Sequence, residues 1–272
     1  MGRSPRADVS GGIYHALNRG NAKNPIFFKD EDYEAFERIV AEGLERYAVD
    51  LIAYQWMNNH WHMVLSPHHD GGMGQFLGWV TLTHTQRYHA HHGTTGWGHV
   101  YQGRFKSFPV QDDDHFHVVC RYVERNALTA GLVKKAEDYR WGSLHNWLGG
   151  KSVIELSKWP VRRLPRWAAR VNQALTGNEL KALERSETRG TPFGDEPWVK
   201  KIVKKHGMES TTRPRGRPKK LWGTKKVSGN EKGVKGNEKG VKYRERKRCQ
   251  VPLIDLTTNR TLCFLNRTAV AP

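Results

Sequence analysis

The chain has 272 residues, 37% of them hydrophobic, a mean hydropathy of −0.74 and a formal charge of +18. That length allows one large domain, or a domain of about 150 residues with extensions, and so polar a composition leaves part of the chain outside a packed core. A run of about 18 apolar residues is absent, which excludes a membrane-spanning helix, and the positive charge calls for a polyanionic partner, most often nucleic acid.

The first twelve residues, MGRSPRADVSGG, lack the apolar core of a secretory signal. Cys120, Cys249 and Cys263 show no Cys-x-x-Cys spacing, so neither a disulfide framework nor a cysteine zinc site is expected. A reducing cytoplasm is the expected place. Gly11-Gly12 opens a first strand over Ile13 to Leu17, and Asn18-Arg19-Gly20-Asn21 reads as a turn. Asp30-Glu31-Asp32 is an acidic helix start, and Tyr33, Phe36, Ile39, Val40, Leu44 and Tyr47 follow at helical spacing. Asp50 to Met57 is a second strand. Asn58-Asn59 is a hairpin-type turn, and His60 to Ser66 is the return strand. Residues 67–74 form a loop. A second helix runs from about Met73 to His91, with Phe76, Leu77, Val80, His84 and Tyr88 on one stripe. After a glycine-rich break, His99 to Val110 is extended. Asp112-Asp113-Asp114 opens a third helix that runs to about Thr129 and ends near Gly131. Tyr139 to Leu148 is a short aromatic segment that packs under the domain.

The order β-α-β-β-α-β-α is that of an α+β, ferredoxin-like domain: an antiparallel sheet with helices packed on it. Charge and composition change further on. Residues 1–198 hold 24 Lys+Arg against 22 Asp+Glu, whereas residues 199–272 hold 21 against 5. A near-neutral globule is therefore followed by a cationic tail. Within it Gly229 to Lys235 repeats as Gly236 to Lys242, two copies that are too few for a solenoid and read as a flexible basic linker. The expected organisation is a domain at 1–150, a helical extension at 151–210, a basic low-complexity DNA-binding tail at 211–248 and an unassigned segment at 249–272.

His-x-His occurs three times: His60/His62, His89/His91 and His115/His117. Alternate residues of a strand point the same way, whereas residues two apart on a helix diverge by about 200°. Only His60 and His62 lie on a predicted strand, so only they share a face. Two imidazoles suit Mn²⁺ or Zn²⁺, and tolerate Mg²⁺ when oxygen ligands complete the shell. The plainer alternative is two histidines on a solvated sheet face. In the third helix Tyr122 and Asn126 are one turn apart and share a face. A phenol can attack a metal-polarised phosphodiester, and an asparagine amide oxygen can complete a metal site. The plainer alternative for Tyr122 is a core aromatic with a wet hydroxyl.

Four words occur in one order: Gly12-Ile13-Tyr14-His15 through Asn18-Arg19-Gly20-Asn21, Met57-Asn58-Asn59-His60-Trp61-His62, Tyr101-Gln102-Gly103-Arg104-Phe105-Lys106-Ser107, and Arg121-Tyr122-Val123-Glu124-Arg125-Asn126 through Ala130-Gly131-Leu132-Val133. Over residues 9–148 the chain thereby resembles the REP-associated tyrosine transposases, members of the insertion-sequence-200-like, single-tyrosine HUH superfamily. The resemblance implies that His60 and His62 are metal ligands, that Tyr122 is the nucleophile and that Asn126 is a third ligand. It also implies Mg²⁺ or Mn²⁺ dependence, and cleavage and joining of single-stranded or hairpin DNA by a monomer or homodimer. The chain departs from the family at Met57-Asn58-Asn59-His60, where members carry Met-Pro-Asn-His, and at Asn126-Ala127-Leu128, where they carry Asn-Pro-Val.

Gln102, Arg104 and Lys106 alternate along the predicted strand and would present a DNA-facing edge, with Tyr101 and Phe105 packed opposite. Arg19 is a further phosphate candidate. In the tail Pro214-Arg215-Gly216-Arg217-Pro218 resembles an AT-hook, in which Arg215 and Arg217 would enter a narrow minor groove. Three other readings compete. One is a catalytically inactive DNA-binding protein derived from such a transposase. Another is an RNA-binding module on the same sheet architecture. The third is a metal hydrolase without a covalent intermediate.

Overall fold

The computed structural model describes residues 6–213. Strands β1 (Ile13–Arg19), β2 (Val49–Met57), β3 (His60–Pro67) and β4 (Lys106–Val110) form one antiparallel sheet in the order β2-β3-β1-β4. Helix α1 (Asp30–Arg46) joins β1 to β2, and α2 (Gly72–His92) joins β3 to β4. This is the expected α+β, ferredoxin-like arrangement. Among the described residues no helix is long and apolar enough to cross a membrane.

Strand periodicity divides the core in two. Tyr14, Ala16, Trp61, Met63 and Leu65 face α1 and α2, where Phe36, Ile39, Phe76 and Leu77 meet them. Ile13, Val64, Phe108 and Val110 face the other way. A bulge between Leu51 and Ala53 shifts the β2 register, so Leu51 and Tyr54 both reach the first layer although three residues apart. Gly43 marks the closest approach of α1 and α2: a Cβ there would sit 2.9 Å from Phe76 and 3.2 Å from Trp79.

The second layer is built by α3 (Asp114–Glu124) and α4 (Asn126–Thr129). They are one helix in the sequence reading, and their backbone bonds run on across Arg125, with Thr129 N–H donating to the Arg125 carbonyl. Downstream lie α5 (Ser143–Trp147), α6 (Trp167–Asn172), α7 (Gly177–Arg189), α8 (Glu196–Lys205) and α9 (Glu209–Thr212). Residues 151–213 pack on the sheet directly. Ser157 N–H donates to the Leu51 carbonyl, and Phe193 bridges to Val110 at the end of β4.

Two strand boundaries differ from the sequence reading. β1 does not turn at Asn18; it runs on to Arg19, because its partner β3 begins at His60 and the ladder pairs the two. The extended stretch from His99 does not form one strand. Regular pairing starts at Lys106, Tyr101 makes only an isolated bridge to Gly20, and the chain bends over residues 102–104 between them. Gln102, Arg104 and Lys106 therefore do not alternate along one strand. Tyr101 and Phe105 are buried as expected. Arg215, Arg217, the repeat at 229–242 and the segment 249–272 lie outside the described residues.

The aromatic layer under α2 is closed by a polar chain. Trp61 Nε1 donates to the Tyr101 hydroxyl at 3.3 Å, and that hydroxyl lies 2.7 Å from His84 Nδ1. Burial pushes the His84 imidazole from 6.5 down to about 3. As pH falls, the unfolded chain takes up this proton first. The stability due to neutral His84 is complete above about pH 6.5 and is lost as pH falls toward 3. The stability gap between wild type and His84→Gln, measured by urea unfolding, is expected to narrow by on the order of 2 kcal/mol between about pH 7 and pH 5. A constant gap would place the His84 proton elsewhere.

Candidate active site

The β1–β3 ladder pairs Arg19 with His60 and Leu17 with His62, while β4 sets Lys106 beside Leu17 and Phe108 beside His15. One face of the sheet thus carries His60, His62, His15, Arg19 and Lys106. Helix α3 covers it with Phe116, Val119, Cys120 and Val123. His62 is only 2% exposed, so the plainer reading of a solvated face does not hold.

The structure brings four predicted site residues together. The Tyr122 ring lies edge-on to His62, with centroids 5.8 Å apart. Asn126 Nδ2 is 3.3 Å from His62 Nε2, and the same amide bonds to His60. The His60 and His62 rings are 5.0 Å apart. His60 Nδ1 is held by Asn59 Oδ1 at 2.6 Å, so the hairpin turn aims its other nitrogen inward. The other two His-x-His pairs diverge as helical geometry requires. His89 bonds to Thr94 and to the Gly98 carbonyl, His115 to Asp113 and His117 to the Arg162 carbonyl.

Burial, and then the Arg19 charge, pushes His60 down to about 4. Burial also takes His62 well below its ordinary value, helped by His15, His60 and Arg19. Both rings are neutral near pH 7 and keep a lone pair for a cation. Two imidazole nitrogens and an amide oxygen, available if the Asn126 amide turns over, make a donor set that fits a divalent ion.

The sequence reading missed Glu187. It lies on α7, one turn after buried Leu183, and reaches into this site. Its Oε1 is 3.9 Å from His62 Nδ1 and accepts no hydrogen bond. The carboxylate accepts a hydrogen bond from the Tyr122 hydroxyl. Burial first, then the Glu187 charge, raises the Tyr122 phenol far above 10. Burial raises Glu187 as well, against the pull of Arg19 and Lys106. His15, which belongs to the first sequence word and carries no expected role, has its Nε2 2.9 Å from His62 Nδ1. The ligand atoms of His15, His62 and Glu187 all lie within 4.8 Å of one another.

Beside this centre opens a cavity of about 560 Å³. Arg19, Gln102, Arg104 and Lys106 line it together, although they do not share a strand face, and Arg6 and Arg189 join them. The buried Nε of Arg19 makes no hydrogen bond. An unpaired guanidinium nitrogen beside exposed cations is a ready phosphate site.

The word around Tyr122 has two duties. Tyr122 and Asn126 face the histidines, whereas Arg121, Glu124 and Arg125 brace the helix. Arg121 donates to the carbonyls of Arg170 and Gln173, and Arg125 to those of Val171 and Asn172, so they satisfy the free end of α6. Fully buried Glu124 accepts from Ser143 Oγ at 2.7 Å and from Trp167 Nε1 at 2.6 Å.

Residues 8–126 match the family described as "Transposase IS200 like". Among solved structures the chain is similar to a REP-associated tyrosine transposase bound to a REP hairpin, at 14% identity and a TM-score of 0.47, covering 58% of this chain and 96% of that one. It is also similar to a candidate transposase from Deinococcus radiodurans R1, at 17% identity and a TM-score of 0.32, covering 46% and 95%. No curated protein matches.

Because the Glu187 charge opposes ionisation of Tyr122, Glu187→Gln is expected to let the phenolate form at lower pH. Ultraviolet difference titration, with Tyr122→Phe as the subtraction, measures this. An unchanged midpoint would show that the carboxylate does not act on the phenol.

Proposed function

We propose that the chain is an IS200-like transposase, the family that residues 8–126 match, and that it cleaves and rejoins DNA strands through a covalent bond to Tyr122. The observation that carries this reading is the convergence of Tyr122, His60, His62 and Asn126 on one buried sheet face beside a cationic cavity. His60, His62 and Asn126 would hold a divalent ion, Mg²⁺ or Mn²⁺ by family resemblance. When bound it would polarise the scissile phosphate and stabilise charge developing on its oxygens.

The chain's own residues account for the rest. Arg19, Gln102, Arg104 and Lys106 bind the DNA backbone as it enters the cavity. The sheet and α3 hold the Tyr122 oxygen over the phosphate and exclude water from that side. Tyr122 passes its proton to the Glu187 carboxylate beside it and attacks phosphorus in line. A Tyr122 O–P bond forms, the P–O3′ bond breaks, and the leaving 3′-oxygen takes up a proton. The 5′ end stays tethered as a phosphotyrosine. A 3′-hydroxyl then attacks the same phosphorus, the new phosphodiester closes and Tyr122 is released. Bond energy is conserved in the link, so no nucleotide cofactor is required.

The substrate is single-stranded or hairpin DNA, handled by a domain at 1–150 with its extension at 151–210. Arg215 and Arg217 in the tail add minor-groove and salt-dependent affinity. The binding-only reading draws on one observation: the Tyr122 hydroxyl is tied to Glu187 and held firmly protonated.

Incubation with end-labelled hairpin oligonucleotides and Mn²⁺, followed by a denaturing gel, is expected to give a protein–DNA adduct. Tyr122→Phe should abolish it, and His60→Ala should reduce it at least 100-fold. DNA retarded on a native gel, with no adduct across the repeats that flank the gene, would favour the binding-only reading.

A further inference from the structure

We infer that His15 is a positioning residue for His62: its imidazole, set on the neighbouring strand, fixes which His62 nitrogen turns a lone pair toward Asn126 and His60. The inference rests on the reading of His62 as a metal ligand.

The geometry is that of one shared proton. His15 Nε2 and His62 Nδ1 are 2.9 Å apart, the ring planes differ by 13° and the ring centres are 5.0 Å apart. The centres are thus only 2.1 Å further apart than the nitrogens, about two ring radii. The rings meet tip to tip, not face on face, so the two nitrogens point at each other. His15 and His62 are both buried. Two ring nitrogens 2.9 Å apart need a single hydrogen between them.

The position of that hydrogen decides what His62 can do. With the proton on His62 Nδ1, His15 Nε2 accepts it and His62 Nε2 keeps its lone pair. That lone pair faces Asn126 Nδ2, a donor, at 3.3 Å. With the proton on His15 Nε2, His62 must carry its own hydrogen on Nε2 and cannot ligate. The first arrangement leaves a hydrogen on His15 Nδ1, a buried atom that bonds to nothing. The two tautomers are thus balanced against each other, and a cation at Nε2 selects the first. Metal-bound histidines generally have such an orienting partner on the second nitrogen, and its loss costs 10–100-fold in metal affinity.

The surroundings offer few substitutes. Phe108 and Tyr122 flank His15, with ring centres 4.9 and 6.2 Å away. The other acceptor beside His62 Nδ1 is Glu187 Oε1 at 3.9 Å, too far for a hydrogen bond without movement.

The test is Mn²⁺ affinity by calorimetry for wild type, His15→Phe, His15→Gln, Glu187→Gln, His60→Ala and His62→Ala, each with its unfolding temperature. His15→Phe should weaken binding at least tenfold, and His15→Gln, which keeps an acceptor, should restore most of it. Nitrogen-15 NMR of the wild-type protein with Mg²⁺ should show His62 protonated at Nδ1, with a coupling across the hydrogen bond to His15. This reading stands even if His15→Phe does not fold. If His60→Ala and His62→Ala abolish binding while His15→Phe binds as wild type, His15 is only packing and the inference falls alone. Weakening by Glu187→Gln but not by His15→Phe would assign the orienting role to Glu187. If His60→Ala and His62→Ala both bind as wild type, the ligand reading falls and takes this inference with it.

Discussion

The whole site hangs on the pairing of β1 with β3. That ladder sets Arg19 opposite His60, Leu17 opposite His62 and His15 opposite Val64. A slip of one residue would turn every one of these side chains to the other face. The register is held by the first core layer: Trp61, Met63 and Leu65 alternate with the histidines and are wholly buried against α1 and α2. The apolar half of the strand thereby fixes the orientation of the polar half. The alternation of the strand is what puts His60 and His62 on one face.

Burial then sets the chemistry. The face that carries the histidines lies under α3, so both imidazoles are stripped of water and stay neutral. The same burial, reinforced by Glu187, keeps Tyr122 protonated. One environment thus keeps the imidazole lone pairs free and the phenol protonated. A phenol in that state needs a strongly activated phosphate, which is the condition a divalent ion on the neutral histidines would meet. Arg19 is central to this balance. It depresses both histidines, draws on Glu187 and leaves its own Nε unpaired at the cavity wall.

The α3–α4 segment has to be rigid to place Tyr122 and Asn126 together. Its rigidity comes from residues that face away from the site. Arg121 and Arg125 cap the carbonyl end of α6, and Glu124 gathers Ser143 and Trp167. The helices beyond residue 150 are therefore bound to the histidine face from both sides: α6 braces α3 from behind, while α7 brings Glu187 to its front.

Much of this was legible in the sequence because it is local. The period of two in His60-Trp61-His62-Met63 and the period of four from Tyr122 to Asn126 are properties of a strand and a helix wherever they lie, and they put His60 beside His62 and Tyr122 beside Asn126. Helix α7 was legible too, through Thr176 and Glu179, which bond reciprocally at its start, and Gly190 at its end. It falls within the helical extension expected over 151–210. The sequence could not show that α7 returns to the sheet, since Glu187 and His62 are 125 positions apart and no periodicity spans that distance. Nor could it show that His15 meets His62 tip to tip, or that Gln102, Arg104 and Lys106 share a cavity without sharing a strand. Those contacts follow from packing, in which distant segments close on one another to bury apolar surface. The local elements, their facing residues and the tail's charge were determined by the sequence alone. The tertiary structure alone decided which side chains surround the tyrosine and histidines, because their protonation and partners depend on what excludes the water.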